Sequence, residues 1–261
     1  MTAPDPRTAI DLVRSALAHQ PAGFLSDLDG TLAPIIGDPT AVVLAAGARD
    51  ALARLARRLA VVGFITGRAA ADARHIGGLP ELLVVGNHGL EWLDPGEEEP
   101  RHAVDPARTA ALLRSALDQL PAEPGLAIDE KGLSATIHYR NAPRPALARS
   151  RILAALAQLP DGLEVREGRR SVELRPAGAG DKGTALREVV AAYRLRGLVV
   201  AGDDLTDLDM FRAAAEMRAG GELTAAIVAV GGRGEVPGEV AEAADATVAG
   251  PAELVALLAA I

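Results

Sequence analysis

Short apolar runs that end in glycine or polar residues recur along this chain. The clearest example is Ala22–Leu25, which is followed by Asp27-Leu28-Asp29 and then by Gly30-Thr31. A short apolar run ended by glycine is typical of a buried β-strand that stops at a sharp turn. Further buried strands are predicted from similar runs at residues 61–65, 82–85, 198–201 and 225–230.

Helical patterns of leucine and alanine lie between these runs. They predict helices over residues 5–20, 44–59, an alanine-rich stretch ending near 75, 182–194, 207–217 and 252–260. We expect Asp5 to cap the first helix, with Pro6 in its first turn. Strands that alternate with helices predict a parallel sheet with helices packed on its faces.

The alternation is interrupted between residues 94 and 175. This segment opens with a polar, turn-rich stretch, and its predicted elements are helices at 105–120 and 145–158 and strands at 133–139, 163–165 and 171–174. Such a mixture is typical of an α+β unit, and residues 176–180 have the composition of a hinge. We therefore predict an α/β fold with a Rossmann-like parallel-sheet core, residues 1–93 and 176–261, and an inserted α+β cap domain, residues 94–175.

Composition narrows the possible functions. Of the 261 residues, 49% are hydrophobic and only 2% are aromatic, so few side chains could stack on nucleic-acid bases. The net charge is −8, which disfavours electrostatic binding to nucleic acid. The absence of cysteine excludes disulfides and thiolate chemistry. Neither a transmembrane run nor a signal-peptide pattern is found in the sequence. We expect a cytoplasmic monomer that acts on a small molecule and contacts neither nucleic acid nor membrane.

Polar residues of complementary chemistry follow four predicted strands. They are Asp27 and Asp29, Thr66, Asn87 and His88, and Asp203 and Asp204. Ligands bind at the carboxyl ends of parallel strands, where buried carboxylates need partners or a metal such as Mg²⁺. An aspartate can serve as the nucleophile in phosphoryl transfer, and a second carboxyl nearby can move the proton.

Lys182 adds a cation at the predicted start of a helix. The helix dipole disfavours a positive charge there, so a phosphate-binding role is more attractive than a purely structural one. A calcium loop is the alternative reading of Asp27–Gly30, but it needs Glu at its twelfth position. Asp38 stands there, and Pro34 interrupts the loop. Catalysis is therefore favoured over calcium binding.

Four segments in order resemble the motifs of the haloacid-dehalogenase-like phosphatases: Asp27–Thr31, Thr66, Lys182 and Gly202–Asp207. The resemblance implies that Asp27 is the nucleophile and Asp29 the acid/base. It also implies a Mg²⁺ ion on Asp27, the main-chain oxygen of Asp29 and Asp203, with Asp207 in support. Thr66, Gly67 and Lys182 would bind the phosphoryl group. Dehalogenases of this superfamily lack the second aspartate, so Asp29 indicates a phosphatase.

Longer stretches are similar to the trehalose-6-phosphate phosphatases. They include Gly86–Gly89, Lys131-Gly132, His138–Arg140 and Val172–Pro176. This resemblance implies hydrolysis of trehalose 6-phosphate to trehalose and phosphate through an aspartyl-phosphate, in trehalose biosynthesis. It further implies a set of sugar-phosphate contacts, namely Arg68, Asn87, His88, Lys131, Arg140 and Glu173.

Two departures from the family pattern keep other functions open. Leu208 stands where the family often has Glu, and Asp129 stands where it often has the Glu of a Glu-x-Lys pattern. A phosphatase for sucrose phosphate or glycosyl-glycerate phosphate is therefore an alternative. A non-catalytic sugar-phosphate sensor or synthase partner is disfavoured because the nucleophile and metal aspartates are all present. Arg169 and Arg170 gain no support from a motif and are interpreted as surface residues.

Overall fold

The computed structural model describes residues 6–168, 170–232 and 236–261, so Asp5 and Arg169 lie outside the described residues. The chain divides into two compact units. The first, here called the core unit, runs up to Arg101 and resumes over Gly180–Ile261; the second, the cap unit, is His102–Ala179. The cap domain predicted from the sequence covers residues 94–175.

The described strands and helices have the following bounds. The strands are β1 Ala22–Ser26, β2 Val61–Ile65, β3 Leu83–Gly86, β4 Glu91–Leu93, β5 Arg101–His102, β6 Ala127–Glu130, β7 Ala135–His138, β8 Leu163–Gly168, β9 Ser171–Pro176, β10 Gly197–Gly202, β11 Thr224–Val230 and β12 Ala246–Val248. The helices are α1 Pro6–Leu17, α2 Ala48–Ala56, α3 Ala70–Gly77, α4 Pro106–Leu117, α5 Pro145–Ala155, α6 Lys182–Tyr193, α7 Leu208–Ala219, α8 Gly238–Ala243 and α9 Pro251–Ala259. Within the described ranges, none of these helices combines the length and hydropathy that a bilayer crossing requires.

An eight-stranded sheet organises the core unit, in the order β12-β11-β10-β1-β2-β3-β4-β5. Neighbouring strands from β12 through β3 are parallel, and β4 runs antiparallel to β3. The last residue of β1, Ser26, pairs with Ala201 of β10 on one side and with Phe64 of β2 on the other. The predicted α/β fold with a parallel sheet is confirmed, and β1 lies between strands from the two ends of the chain.

Side chains of β1 point alternately into two hydrophobic layers. Phe24 belongs to the layer that includes Leu52 of α2 and Leu254 of α9. Leu25 belongs to the opposite layer, which includes Leu186 of α6 and Phe211 of α7. A strand covered by helices on both faces is apolar throughout, which explains the continuous apolar run in the sequence.

The cap unit contains a four-stranded antiparallel sheet in the order β6-β7-β9-β8. One face of this sheet packs against its two helices, as Ile137 and Val172 share a core with Leu113 of α4 and Ile152 of α5. Thr136 and Glu173, which alternate with these residues, are cross-strand neighbours on the other face. The sheet therefore has one apolar face and one polar face.

The helix expected over 44–59 is shorter in the structure and covers only Ala48–Ala56. Gly47 adopts φ 81°, a left-handed conformation that interrupts a helix, and the amide of Ala45 donates to the carbonyl of Leu32 instead. The short strands β4, β5, β6 and β12 and the helix α8 were not predicted. Segments of two to six residues are too short to display a hydrophobic period.

Close approach of β2 and β3 generates a testable prediction about Gly63. A Cβ on this glycine would lie 2.1 Å from the carbonyl oxygen of Leu83, so an alanine must push the paired strands apart. We expect Gly63→Ala to lower the free energy of unfolding by about 1–3 kcal/mol in urea denaturation. Gly37→Ala is the control, because nothing lies within 4 Å of its Cβ position. Equal effects of the two changes would contradict this account of the strand pair.

Candidate active site

The site begins where β1 ends. The amide of Asp27 donates to the carbonyl of Ala201 at 2.9 Å, so Asp27 continues alongside β10 before the chain turns. The turn closes on itself, since the amide of Ala33 donates to the carbonyl of Leu28 at 2.8 Å. The Asp27 side chain is buried as a result, at the edge where the sequence analysis expected a ligand to bind.

A buried lysine lies between two carboxylates. Nζ of Lys182 is 3.0 Å from Oδ1 of Asp27 and 2.7 Å from Oδ1 of Asp207, and its side chain is only 2% exposed. Lys182 is the first residue of α6, whose N-terminus is capped by Asp181 accepting from the amide of Thr184. Burial alone would lower the pKa of Lys182, but Asp207 and Asp27 raise it well above its usual value. The ammonium group therefore stays charged inside the protein.

Asp207 also shapes the loop that follows β10. Its Oδ2 atom accepts hydrogen bonds from the amides of Asp203 at 2.9 Å and Asp204 at 3.1 Å. Asp203 in turn accepts from the Thr31 hydroxyl at 2.8 Å. Its carboxylate lies so close to Gly30 that a Cβ there would be 2.1 Å from Oδ2. The carboxylate of Asp203 is thus held against the turn that follows Asp27.

Three carboxylates form a group that could hold a metal ion. Single oxygens of Asp27, Asp203 and Asp207 lie within 4.8 Å of one another. Burial raises the pKa of Asp27 well above its usual value, although Lys182 opposes this. Burial and the neighbouring Asp207 raise the pKa of Asp203 to about 7. Burial thus disfavours the ionised form of both carboxyl groups, and a divalent cation bound to their oxygens would stabilise that form.

The turns after β2 and β3 are hydrogen-bonded to each other. The amide of His88 donates to the carbonyl of Thr66 at 2.9 Å, and the amide of Asn87 donates to the carbonyl of Arg68 at 2.7 Å. Gly67 leaves room for the His88 ring, because a Cβ there would be 2.6 Å from Nε2 of His88. The two adjoining turns lie at the same edge of the sheet as Asp27 and carry five predicted site residues, namely Thr66, Gly67, Arg68, Asn87 and His88.

Arg68 forms a two-point ion pair with Asp29. Its Nε is 2.6 Å from Oδ2 of Asp29, and a terminal guanidinium nitrogen is 2.7 Å from Oδ1. The contact differs from the separate roles that the family resemblance implies, which are substrate binding for Arg68 and proton transfer for Asp29. Asp204 accepts from the amide and hydroxyl of Thr206 in the next turn, which assigns it a structural role.

Predicted sugar contacts in the cap unit lie on or beside its sheet. Glu173 is on the polar face next to Thr136, and Nζ of Lys131 is 3.8 Å from Asp129. Arg140 is exposed just beyond the end of β7. Their roles toward a substrate stay predictions.

Glu91 and Thr31 carry functions that the sequence analysis missed. The buried carboxylate of Glu91 accepts from the amide of Ala70 at 2.6 Å and so caps α3, which has no cap from its own chain segment. The sequence offers a signal for Glu91, since an acidic residue between Leu90 and Trp92 is expected to be buried, and a buried charge needs a hydrogen-bond partner. Thr31 gave no such signal, since threonine is common in turns.

Solved structures share the fold of the whole chain. A haloacid dehalogenase-like hydrolase from Bacteroides thetaiotaomicron superposes with a TM-score of 0.64, covering 92% of this chain and 98% of that chain at 15% identity. The C-terminal domain of Candida albicans trehalose-6-phosphate phosphatase gives a TM-score of 0.75, covering 97% and 96% at 22% identity. The fold is that of the haloacid-dehalogenase-like hydrolases.

Sequence comparison specifies the family within that class. A family model described as trehalose-phosphatase matches residues 25–240. The trehalose-phosphate phosphatase of Mycobacterium tuberculosis (strain ATCC 25618 / H37Rv) is 35% identical over 216 residues, which cover 80% of this chain and 55% of that protein. The chain belongs to the trehalose-phosphatase family, which confirms the resemblance. It spans about half the length of the curated relatives it matches.

The raised pKa of Asp203 predicts a pH-dependent stability in the metal-free chain. Its pKa rises from 3.8 to about 7 on folding, so its contribution to stability is complete below pH 4 and is lost as the pH rises through 7. One such group changes the free energy of unfolding by at most about 1.4 kcal/mol per pH unit. Asp203→Asn should therefore be more stable than the wild type at pH 8 in EDTA, and the gain should shrink toward pH 5. Urea denaturation across this range tests the sign, and a variant less stable than the wild type at pH 8 contradicts it.

Proposed function

We infer that this chain is a Mg²⁺-dependent phosphatase that converts trehalose 6-phosphate to trehalose and inorganic phosphate in trehalose biosynthesis. The observation that carries this function is the buried Asp27 carboxylate, 3.0 Å from the Lys182 ammonium within an acidic group. A carboxylate that is buried beside a cation is oriented and shielded from water, as a nucleophile toward an anionic phosphate must be.

Asp27 would attack the phosphorus atom of the sugar phosphate and form an aspartyl-phosphate. Lys182, together with the hydroxyl of Thr66 and the amide of Gly67, would bind the phosphoryl oxygens and stabilise their charge in the transition state. Asp29 would give a proton to the departing sugar oxygen and later take one from the water that hydrolyses the intermediate. The products are the free sugar, inorganic phosphate and the regenerated Asp27 carboxylate.

The acidic group would hold the cation. Asp27, Asp203 and the main-chain oxygen of Asp29 would ligate Mg²⁺, which when bound neutralises charge on the phosphate and on the nucleophile. Both oxygens of Asp207 already accept hydrogen bonds, from Lys182 and from two backbone amides. This supports Asp207 as the residue that positions Lys182 and the Asp203 loop.

Polar residues in each unit are the proposed substrate contacts, as the family resemblance implies. In the core unit they are Asn87 and His88, and in the cap unit they are Lys131, Arg140 and Glu173. A polar group that hydrogen-bonds a sugar hydroxyl discriminates strongly, since an analogue that lacks the hydroxyl leaves that group unpaired. The cytoplasmic location, the monomeric state and the absence of nucleic-acid and membrane partners remain predictions from the sequence.

A different sugar phosphate is the second candidate substrate. Asp129, which replaces the longer Glu of the family pattern, is half exposed and lies 3.8 Å from the predicted contact Lys131. Its shorter side chain can change which hydroxyl is recognised. Leu208 has no such consequence, because it is buried in the hydrophobic layer that also includes Leu186 of α6 and Phe211 of α7.

Replacing the nucleophile tests the mechanism. We expect Asp27→Asn to lower kcat by about four orders of magnitude or more, because an amide is too weak a nucleophile to form the intermediate. Phosphate release and circular dichroism should show loss of turnover in a folded protein. Asp11→Asn on the exposed side of α1 is the control. Substantial turnover by Asp27→Asn would exclude this mechanism.

A substrate panel tests the sugar and the metal. We expect kcat/KM for trehalose 6-phosphate to exceed that for glucose 6-phosphate, sucrose 6-phosphate and a glycosyl-glycerate phosphate by about tenfold or more. EDTA should abolish turnover and Mg²⁺ should restore it. Equal kcat/KM for trehalose 6-phosphate and glucose 6-phosphate would contradict the substrate, and turnover undiminished by EDTA would contradict the metal.

A further inference from the structure

The ion pair between Arg68 and Asp29 links two residues that the proposed mechanism uses separately. The guanidinium contacts both carboxylate oxygens, at 2.6 Å and 2.7 Å, and the two side chains are 18% and 33% exposed. Fork-shaped contacts of this kind fix the plane and direction of a carboxylate, whereas a single ammonium contact does not. Arg68 therefore restricts the orientation of Asp29.

The backbone around Arg68 is held firmly enough to aim its side chain. Its carbonyl accepts from the amide of Asn87 at 2.7 Å, and its amide donates to the Thr66 hydroxyl at 3.3 Å. Two residues later, the amide of Ala70 donates to the buried carboxylate of Glu91. The turn that carries Arg68 is thus fixed on both sides of this residue.

The turn that carries Asp29 is equally constrained. The amide of Gly30 donates to the carbonyl of Ala33 at 2.7 Å, and Asp29 and Ala33 form an isolated parallel bridge. The Arg68–Asp29 pair therefore joins two hydrogen-bonded turns, one after β1 and one after β2. Neither backbone has to move for the contact to form.

The geometry of the fork fits one of the two tasks of Asp29. A carboxylate has about four lone-pair positions, of which the guanidinium occupies two and leaves the others able to accept a proton. Accepting a proton from water is the task that Asp29 performs in hydrolysing the aspartyl-phosphate. A carboxyl group that donates a proton instead presents a hydroxyl, which the fork does not complement.

We propose that Arg68 is a positioning residue for the second half-reaction, in which it holds the Asp29 carboxylate to receive a proton from the attacking water. In this step the water oxygen bonds to phosphorus, its proton passes to Asp29, and the bond between phosphorus and the Asp27 oxygen breaks. Inorganic phosphate leaves and the Asp27 carboxylate is restored. This inference rests on the proposed function, and it gives Arg68 a role other than the substrate contact that the sequence analysis expected.

The decisive measurement is the decay of the phosphoenzyme. Full-length wild type and Arg68→Gln are mixed rapidly with phosphate-labelled trehalose 6-phosphate, chased with unlabelled substrate and quenched in acid. We expect the labelled aspartyl-phosphate to decay about tenfold more slowly in Arg68→Gln, whereas kcat/KM, which reports its formation, changes by less than about twofold. The aspartyl-phosphate of Arg68→Lys should also decay slowly, because an ammonium group cannot form the two-point contact with both oxygens of Asp29.

Matched controls separate this role from others. Arg149→Gln removes an exposed two-point pair with Glu167 and should leave decay unchanged. If Arg68→Gln lowers kcat/KM and leaves the rate of phosphoenzyme decay unchanged, Arg68 contacts the substrate. If the variant lowers kcat/KM, the decay rate and the midpoint of unfolding together, the role of Arg68 is merely structural. Full recovery by Arg68→Lys would show that charge alone suffices; each of these results overturns the inference. A wild type that turns over no sugar phosphate refutes the proposed function itself.

Discussion

The whole site depends on one buried cation, the ammonium group of Lys182. It lies between Asp27 and Asp207, both of which are almost completely removed from solvent. Without it, two carboxylates would share a region of low dielectric constant with no compensating charge, an arrangement that proteins tolerate only at great energetic cost. Lys182 is at the N-terminus of α6, where the helix dipole disfavours a positive charge, so the carboxylates of Asp27 and Asp207 must supply the attraction that holds the ammonium group in this position.

Positions elsewhere in the site follow from this contact. Asp207 accepts from Lys182 with one oxygen and from the amides of Asp203 and Asp204 with the other, so the same carboxylate that holds the ammonium group also shapes the loop that follows β10. Gly30 then allows the Asp203 carboxylate to approach the β1 turn closely. Three segments of the chain are thus brought together by the carboxylates of Asp27, Asp203 and Asp207, the ammonium group of Lys182, and the absence of a side chain at Gly30.

Much of this arrangement could be predicted from the sequence because it is local in character. The parallel strands of the core unit are apolar runs, and Gly or polar residues such as Asp follow them in the sequence. Because the strands are parallel, their carboxyl ends meet at one edge of the sheet. The pair between Arg68 and Asp29 could not be predicted, since it depends on the directions of two turns on different strands. The helix predicted over 44–59 was too long, because Gly47 has a left-handed backbone and the helix begins only at Ala48. A regular spacing of leucines gives no information about the backbone conformation of one residue.

The central position of β1 has a consequence for how the molecule can change over evolutionary time. Its partner β10 and the lysine beside Asp27 come from the far side of residues 28–181, so the whole cap unit lies within one long loop that the sheet closes. The entropy of closing such a loop grows only logarithmically, by about 0.6 kcal/mol for each doubling of its length. Segments can therefore be added to the cap unit or removed from it at little cost in free energy to the sheet, so the length of the cap unit can change while the strands beside Asp27 stay paired.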